Sequence, residues 1–248
     1  MVWLPVLIGA GLAVQTGVNA RLRQLVGSPF LASAVSFAIG ALALNGLLLV
    51  TSTPITIPLR VFARQPAWLW LGGVLGVVGL TVNLVLFTRL GSVRAAVLPI
   101  FGQILAGIII DQFGWWGAPR QPLTAIKLLG LLAVTGGVRL AIGWQPRPFR
   151  FKLPGQWRWS ALGIFAGGLV AVQATINGRL GTVLRSASHA AAISFTAGAL
   201  LLLLLVVALR VPVHLGQAWQ QAGTANWWLW SGGLLGAAYV LGLCLVSA

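Results

Sequence analysis

Two pairs of amide side chains occur inside otherwise apolar sequence, and the members of each pair are four residues apart. Gln15 and Asn19 form the first pair, and Gln173 and Asn177 form the second. On an α-helix, residues four apart lie one above the other on a single face. A carboxamide has both a donor and an acceptor, so such a face can bind a polar solute. It can also hydrogen-bond a neighbouring helix, and both interpretations stay open.

Three further polar residues in apolar segments are candidates for the same solute-binding surface. Asn83 and Gln103 are amides of the same class, and Tyr239 adds a phenol group. A polar side chain inside an apolar span needs a hydrogen-bond partner, which either the solute or another helix can supply. A lining of this kind would receive a small polar or amphipathic solute.

Charged residues are few, and most are predicted to lie at helix ends. Asp111 is the only acidic residue of the chain. An intramembrane carboxylate can couple transport to protons, but the nearby Gly114 and Arg120 favour a salt bridge at the end of its helix. Arg21 and Arg179 follow the two amide pairs, and we expect them to mark helix ends, with anion binding as the alternative.

Residue types that enzymatic or metal chemistry requires are scarce. His189 and His214 lack metal-ligand spacing, and we predict that both lie at the membrane interface. Cys244 is the single cysteine and sits in an apolar run, so neither a disulfide framework nor a cysteine metal site is expected. We therefore predict no cofactor, no metal and no enzymatic activity.

The composition indicates that lipid is the solvent for most of this chain. Of the 248 residues, 58% are hydrophobic and 7% are charged, whereas about 25% are charged in an ordinary soluble domain. The apolar blocks approach the roughly 20 residues that a helix needs to cross a bilayer. We predict an all-α polytopic transmembrane helix bundle. About eight spans are expected, near residues 3–21, 29–51, 67–88, 92–112, 123–144, 159–179, 187–209 and 226–247.

The basic residues are predicted to contact the membrane surface. A net charge of +15 would indicate a nucleic-acid partner in a soluble protein. Here the basic residues mostly fall at the ends of apolar blocks, where they anchor helices to headgroups. Membrane lipids, and no nucleic acid, are therefore the predicted partners. Residues 1–17 lack the basic beginning and cleavage site of a signal peptide, so they are predicted to be a retained span.

The chain contains an internal duplication. Residues 14–22 match residues 172–180, with Val, Gln, Asn, Arg and Leu in register. Further matches follow in the same order: Ser36-Phe37 with Ser194-Phe195, Gly40 with Gly198, and Gly72-Gly73-x-x-Gly76 with Gly232-Gly233-x-x-Gly236. Glycines at this spacing let helix backbones approach closely, so packing is favoured over a hinge as their role.

The duplication predicts how the chain is organised. Residues 1–145 form a first repeat of about five helices, residues 146–158 a basic connector, and residues 159–248 a second repeat of about three helices. An odd number of spans per repeat inverts the second copy in the membrane, as in many secondary transporters. Counterparts of the fourth and fifth spans are missing from the second repeat, which we therefore expect to be truncated.

Several segments carry a family resemblance that covers nearly the whole chain. They are Gln-x-x-x-Asn-x-Arg-Leu at residues 15–22, the Gly27-Ser28-Pro29 turn, Gly102-Gln103 and the Asp111-Gln112-Phe113-Gly114 segment. The sequence resembles the drug/metabolite transporter superfamily, and within it the YdcZ-like branch of bacterial membrane proteins. The resemblance implies a location in the bacterial cytoplasmic (inner) membrane and transport of a small molecule by alternating access.

The resulting hypothesis is a secondary membrane transporter of a small metabolite or drug-like solute, which alternates access between inverted repeats. The alternative is a non-transporting membrane protein, either an assembly partner or an inactive truncated paralogue. A homodimer or a complementing partner chain is also expected as an association partner.

Overall fold

The computed structural model describes residues 3–53, 57, 59–143 and 155–247. The α-helices in these ranges are α1 Trp3–Val26, α2 Pro29–Val50, α3 Leu59–Arg64, α4 Gly72–Leu90, α5 Ser92–Phe113, α6 Ala125–Gly143, α7 Gln156–Leu184, α8 Ala187–Ala208, α9 Leu215–Ala222 and α10 Gly232–Ser247. Short 3-10 segments occupy Ala67–Trp70, Trp115–Gly117 and Thr224–Trp230. No strand occurs in the described ranges, and the all-α prediction is confirmed.

An α-helix occupies each of the eight segments predicted to span the membrane. Six of the described helices are long and apolar enough to cross a bilayer, namely α2, α4, α5, α6, α7 and α8. Residues Gly232–Leu245 form a shorter apolar helix. The polytopic membrane character is therefore confirmed, whereas the count of eight crossings stays a prediction.

Two of the predicted spans begin with 3-10 geometry instead of α-helix. Ala67–Trp70 precedes α4, and Thr224–Trp230 precedes α10, so these two α-helices start at Gly72 and Gly232. A 3-10 run is tolerated only in short pieces, since its hydrogen bonds have poorer geometry. The start of each α-helix thus coincides with the first glycine of a repeated Gly-Gly-x-x-Gly segment.

Local sequence fixes the turn between α1 and α2. Gly27 closes α1 with φ 74, a left-handed conformation that glycine adopts without steric cost. Ser28 caps α2 through its hydroxyl, and Pro29 occupies the first helical position. In the second half of the chain, Ser186 caps α8 in the same way.

The described helices form two compact units that cut across the predicted repeats. The first unit comprises Met1–Val77 and Ile176–Ala248, and the second comprises Val78–Thr175. The first unit therefore combines helices from both halves of the chain, and α4 and α7 contribute to both units. Most of the connector predicted at 146–158 lies outside the described residues.

Reciprocal contacts between α2 and α8 lie at the centre of the first unit. The rings of Phe37 and Phe195 are 5.0 Å apart between centroids. Gly40 lies against Phe195, and Gly198 lies against Phe37, so closely that neither glycine leaves space for a Cβ. Each contact of one helix is repeated by the matching residues of the other, which is the contact pattern of a two-fold relation.

The second unit is held by an equally close contact between α5 and α7. A Cβ on Gly102 would overlap the carbonyl of Ile164, and a Cβ on Gly167 would overlap the carbonyl of Pro99. These contacts involve backbone atoms on both sides, so a side chain could not relieve the overlap by rotating. An apolar cluster of Leu86, Leu90, Ala95 and Leu98 completes the core of this unit.

Asp111 forms an ion pair near the end of α5, as predicted, but its partner is Lys127 and not Arg120. The Nζ of Lys127 lies 3.2 Å from the Oδ2 of Asp111, and both side chains are partly exposed. Arg120 instead donates from Nε to the carbonyl of Gln112 at 3.2 Å. An exposed pair of this kind contributes about 0–1 kcal/mol. Its position favours the helix-end interpretation of Asp111 over proton coupling.

The α5–α7 contact generates a prediction about stability. We expect Gly102→Ala to destabilise the protein by about 1–3 kcal/mol, because the added methyl group would force the backbones of α5 and α7 apart. Gly107→Ala on the same helix is the matched control, since a Cβ there meets nothing within 4 Å. Thermal unfolding of the detergent-solubilised protein measures both variants. Equal melting temperatures for the two variants would contradict the proposed contact.

Candidate functional site

The carboxamides of α1 lie against glycines of α10. A Cβ on Gly232 would overlap the carboxamide of Asn19, and a Cβ on Gly236 would overlap that of Gln15. Gln15 is one turn before Asn19 on α1, whereas Gly236 is one turn after Gly232 on α10. The two helices therefore run antiparallel, and their amide and glycine faces are in register.

The corresponding residues of the other half make the matching contact. A Cβ on Gly72, the first residue of α4, would overlap the carboxamide of Asn177 and the hydroxyl of Ser194. Ser194 donates its hydroxyl hydrogen to the Oδ1 of Asn177. Each asparagine thus lies on the glycine that begins a helix of the opposite half of the chain.

The four predicted amides of the repeated pairs are all buried. Their exposed fractions are 8% for Gln15, 0% for Asn19, 9% for Gln173 and 1% for Asn177. Gln15, Asn19 and Asn177 belong to the first unit, while Gln173 lies one turn before Asn177 on the part of α7 that belongs to the second unit.

Many buried polar atoms of the first unit lack a hydrogen-bond partner among the described residues. They are Oε1 of Gln15, Oδ1 and Nδ2 of Asn19, Nδ2 of Asn177, Oγ of Ser36, Nε of Arg23, and Nε1 of Trp70 and Trp230. In native proteins about 90% or more of such atoms are satisfied. A buried group left without any partner would cost about 1–3 kcal/mol of stability, so these atoms are candidates for binding a solute.

Asn45 shows the contrasting case of an amide that links two helices. Its Nδ2 donates to the carbonyl of Ala41 at 2.8 Å and to the Oγ1 of Thr196 on α8 at 2.9 Å. Asn45 lacks the signal of a repeated amide in the sequence, because Leu203 stands at its counterpart position. Asn45 thus performs the helix-linking role that is the alternative for the repeated amides, and Asn177 also links α7 to α8 through its bond with Ser194.

The two asparagine sites differ in their hydrogen bonding although their residues correspond. Asn177 accepts a hydrogen bond from Ser194. Neither Asn19 nor Ser36, the counterparts, has a side-chain hydrogen bond within the part of the chain that the structure describes. Arg23 was not singled out from the sequence either, because it has no counterpart arginine; its enclosed Nε is visible only in the fold.

The remaining predicted site residues are placed in separate parts of the fold. Asn83 and Gln103 are half-buried in the second unit, and the Oδ1 of Asn83 has no hydrogen-bond partner among the residues described. Tyr239 is half-buried on α10 in the first unit. The assignment of these three residues to a solute-binding surface stays a prediction.

The arginines that follow the amide pairs point away from the buried amides. Arg21 and Arg179 are both exposed, and Arg21 donates from Nη1 to the Oε1 of Gln24 at 2.8 Å. This geometry favours the helix-end interpretation over anion binding for these two residues. His189 is half-buried and His214 is exposed. The described residues contain no group of three or more His, Cys, Asp or Glu that could hold a metal ion.

Comparison with known proteins gives a match to a protein family. A family model described as "Putative inner membrane exporter, YdcZ" matches residues 1–140 and 158–248. The matched stretches include both amide pairs and both Gly-Gly-x-x-Gly segments. No curated protein and no solved structure matches the chain. The resemblance stated from the sequence is therefore confirmed.

The asparagine–glycine contact can be tested by a double-mutant cycle. We expect Gly232→Ala to destabilise the protein by about 1–3 kcal/mol, because the new Cβ overlaps the carboxamide of Asn19. Asn19→Ala should relieve most of this cost in the double variant, since it removes the overlapping group. The coupling free energy, obtained from four unfolding measurements, is expected to be about 0.5–3 kcal/mol. Additive effects would show that the two residues are not in contact.

Proposed function

Because the chain belongs to the YdcZ family, which is described as "Putative inner membrane exporter", we propose that it is a secondary transporter that exports a small solute by alternating access. The observation that carries this proposal is the buried pair Gln15 and Asn19, whose amide atoms include three without hydrogen-bond partners in the described structure. A solute that enters this site would supply the missing partners.

The energetics of the amides support a binding role. A buried carboxamide without partners costs stability, whereas an apolar side chain of similar volume would cost none. Asn19 is fully buried, and both of its amide atoms lack partners among the residues described. A residue that weakens the fold in this way is explained if it binds a ligand in another step of the transport cycle.

The antiparallel contact between α1 and α10 supports opposite orientations of the two repeats. By sequence, α10 corresponds to α4 of the first repeat. Within that repeat, α1 and α4 are separated by one membrane-crossing helix, α2, and such a pair runs in the same direction. The counterpart α10 instead runs opposite to α1. Inverted repeats account for this reversal, and they place equivalent amides on the two sides of a shared interior.

The unequal hydrogen bonding of the two asparagines supports a cycle with two alternating states. In this structure the Ser194–Asn177 bond is formed, and the equivalent pair of Ser36 and Asn19 has no such bond. In the other state of the cycle, the Ser36–Asn19 bond would form and the Ser194–Asn177 bond would break. The two sites would then open alternately to opposite sides of the membrane. The glycine contacts favour such exchange, because they consist of van der Waals contact and break without leaving a charged group unpaired.

The binding role of Asn19 predicts opposite effects on stability and on export. Asn19→Leu should lower export by about tenfold or more, because a hydrogen bond to the solute is lost. The same change should leave thermal stability equal or higher, since an unpartnered amide is removed. Uptake of a radiolabelled metabolite extract into everted membrane vesicles, analysed solute by solute, measures export.

The control for this experiment is Asn45→Leu, which removes an amide that links α2 to α8. We expect it to lower thermal stability and to leave the identity of the exported solute unchanged. Intact export by a stable Asn19→Leu protein would show that the amide assignment is wrong. An absence of any solute uptake by the unmodified protein would favour the non-transporting alternative.

Alternating access can be tested without knowledge of the solute. Cys244 is the only cysteine, so Cys244→Ala gives a background for single-cysteine labelling. In this background Ser36→Cys is nearly isosteric and should react with a membrane-impermeant maleimide from both sides of the membrane. Leu42→Cys on the exposed surface of α2 should react from neither side, because a thiol in lipid is not ionised. Labelling of position 36 from one side only would contradict the mechanism.

A further inference from the structure

We infer that the exported solute carries an anionic group, such as a carboxylate or a phosphate, and that Arg23 binds it. The inference rests on the proposed function and adds the chemical class of the solute. It depends on a row of three side chains on α1, consisting of Gln15, Asn19 and Arg23. These residues are successively four apart, so their side chains lie along one face of the helix.

Arg23 extends the amide row by one helical turn. α1 and α10 are antiparallel, so the turn of α1 that follows Asn19 lies beside the residues that precede Gly232. Those residues are the 3-10 segment Thr224–Trp230, which packs against α1. The Nε of Arg23 is enclosed and has no hydrogen-bond partner among the residues described, although the side chain as a whole is half-buried. A guanidinium placed this way has one buried donor and a part that remains accessible to an entering anion.

The elements opposite the row also present hydrogen-bond donors. α10 begins at Gly232, and the first N–H groups of an α-helix have no partner within the helix. The positive end of the helix dipole is at the same place, which favours an anion. Trp230 adds an indole N–H that has no acceptor in the described part of the chain. Asn19, fully buried and unpartnered, lies directly on this helix start.

The distribution of charge favours an anion over a neutral or cationic solute. Asp111, the only acidic residue, belongs to the second unit, so residues 1–77 and 176–248 contain no carboxylate side chain. A cationic group would meet no opposite charge there, whereas an anion would meet Arg23. The counterpart of Arg23 in the second repeat is Gly181, so the charged position exists in one repeat only. The row on α1 therefore includes a charged residue, whereas the corresponding row on α7 ends in a glycine.

A lipid headgroup phosphate has the same chemistry as an anionic solute, so the two sources must be separated. Arg23 is the basic residue in the last turn of α1, and an arginine near the end of a transmembrane helix often extends to headgroups. Arg21 fits that behaviour, since it is exposed and bonded to Gln24. Arg23, two residues later, has an enclosed Nε and shares the face of the buried amides. We therefore assign Arg23 to the solute and Arg21 to the membrane surface.

Three probes that differ in charge but share a phenyl ring test the inference. They are benzoate, benzamide and benzamidine, with charges of −1, 0 and +1. The full-length chain in an uncharged sugar detergent is titrated with each probe, and the shift of its unfolding temperature gives an apparent Kd. Acetate and inorganic phosphate serve as smaller anions. We expect saturable stabilisation by benzoate or the smaller anions, and none by benzamidine.

The arginine variants decide whether Arg23 is responsible. Arg23→Gln should weaken anion binding by about tenfold or more, because a charge-assisted hydrogen bond is lost. Arg21→Gln, the matched control two residues away, should leave anion binding unchanged. If Arg23→Gln does not fold, Arg23→Lys is measured instead. It keeps the charge but lacks the planar donor group, so it should weaken anion binding by about threefold to tenfold.

Several results would overturn the inference. They are equal stabilisation by benzoate and benzamide, no stabilisation by any of the three anions, and unchanged anion binding in Arg23→Gln. Stabilisation by added phosphatidylglycerol that is lost in Arg23→Gln and is insensitive to benzoate would reassign Arg23 to a headgroup. Export that requires Asn19 but shows no preference for anions would refute the charge assignment alone and leave the proposed function intact.

Discussion

The packing of the first unit depends on the close approach of amide side chains to the backbone at the starts of two helices. Asn19 lies on Gly232 and Asn177 lies on Gly72, and neither glycine leaves space for a methyl group. Between helices in a membrane there is little hydrophobic driving force, because lipid tails are as apolar as leucine. Van der Waals contact at short range must therefore hold the helices together. Glycine permits this contact because it has no side chain to keep the helix backbones apart.

The same contacts explain why polar side chains persist at positions that would be more stable if apolar. The carboxamides are enclosed by the glycine faces, and several of their atoms have no partner in the described structure. Asn45, in contrast, has two hydrogen bonds and joins α2 to α8. The protein thus contains amides of both kinds, and Gln15, Asn19 and Asn177 combine burial with unsatisfied atoms. That combination is typical of sites at which function is retained at the expense of stability.

The duplication produces symmetry in packing but not in charge. Phe37 and Phe195, and the glycines beside them, make matching contacts. Arg23 has no counterpart, since Gly181 stands at the equivalent position. A two-fold scaffold offers two equivalent half-sites, and one charged residue is enough to make a solute bind in a single orientation. The matched glycine and aromatic contacts thus serve the packing, whereas the proposed anion binding depends on the unmatched Arg23.

How much the sequence determined can be judged from particular residues. The apolar blocks fixed the helices, because only a helix satisfies its backbone in lipid, and Gly27, Ser28 and Pro29 fixed a turn. The spacing of Gln15 and Asn19 placed both on one helix face. The family resemblance came from the same local segments, and the family match confirms it.

Other features were decided by tertiary structure alone. Sequence indicated that the Gly-Gly-x-x-Gly segments pack closely, but not that they pack against the amides of the opposite repeat. It suggested Arg120 as the partner of Asp111, whereas the fold brings Lys127 to it. It also gave no reason to separate Arg21 from Arg23. The physical reason is the same in each case: spacing along one helix fixes which residues share a face, while the neighbour that the face meets depends on how separate helices pack against one another.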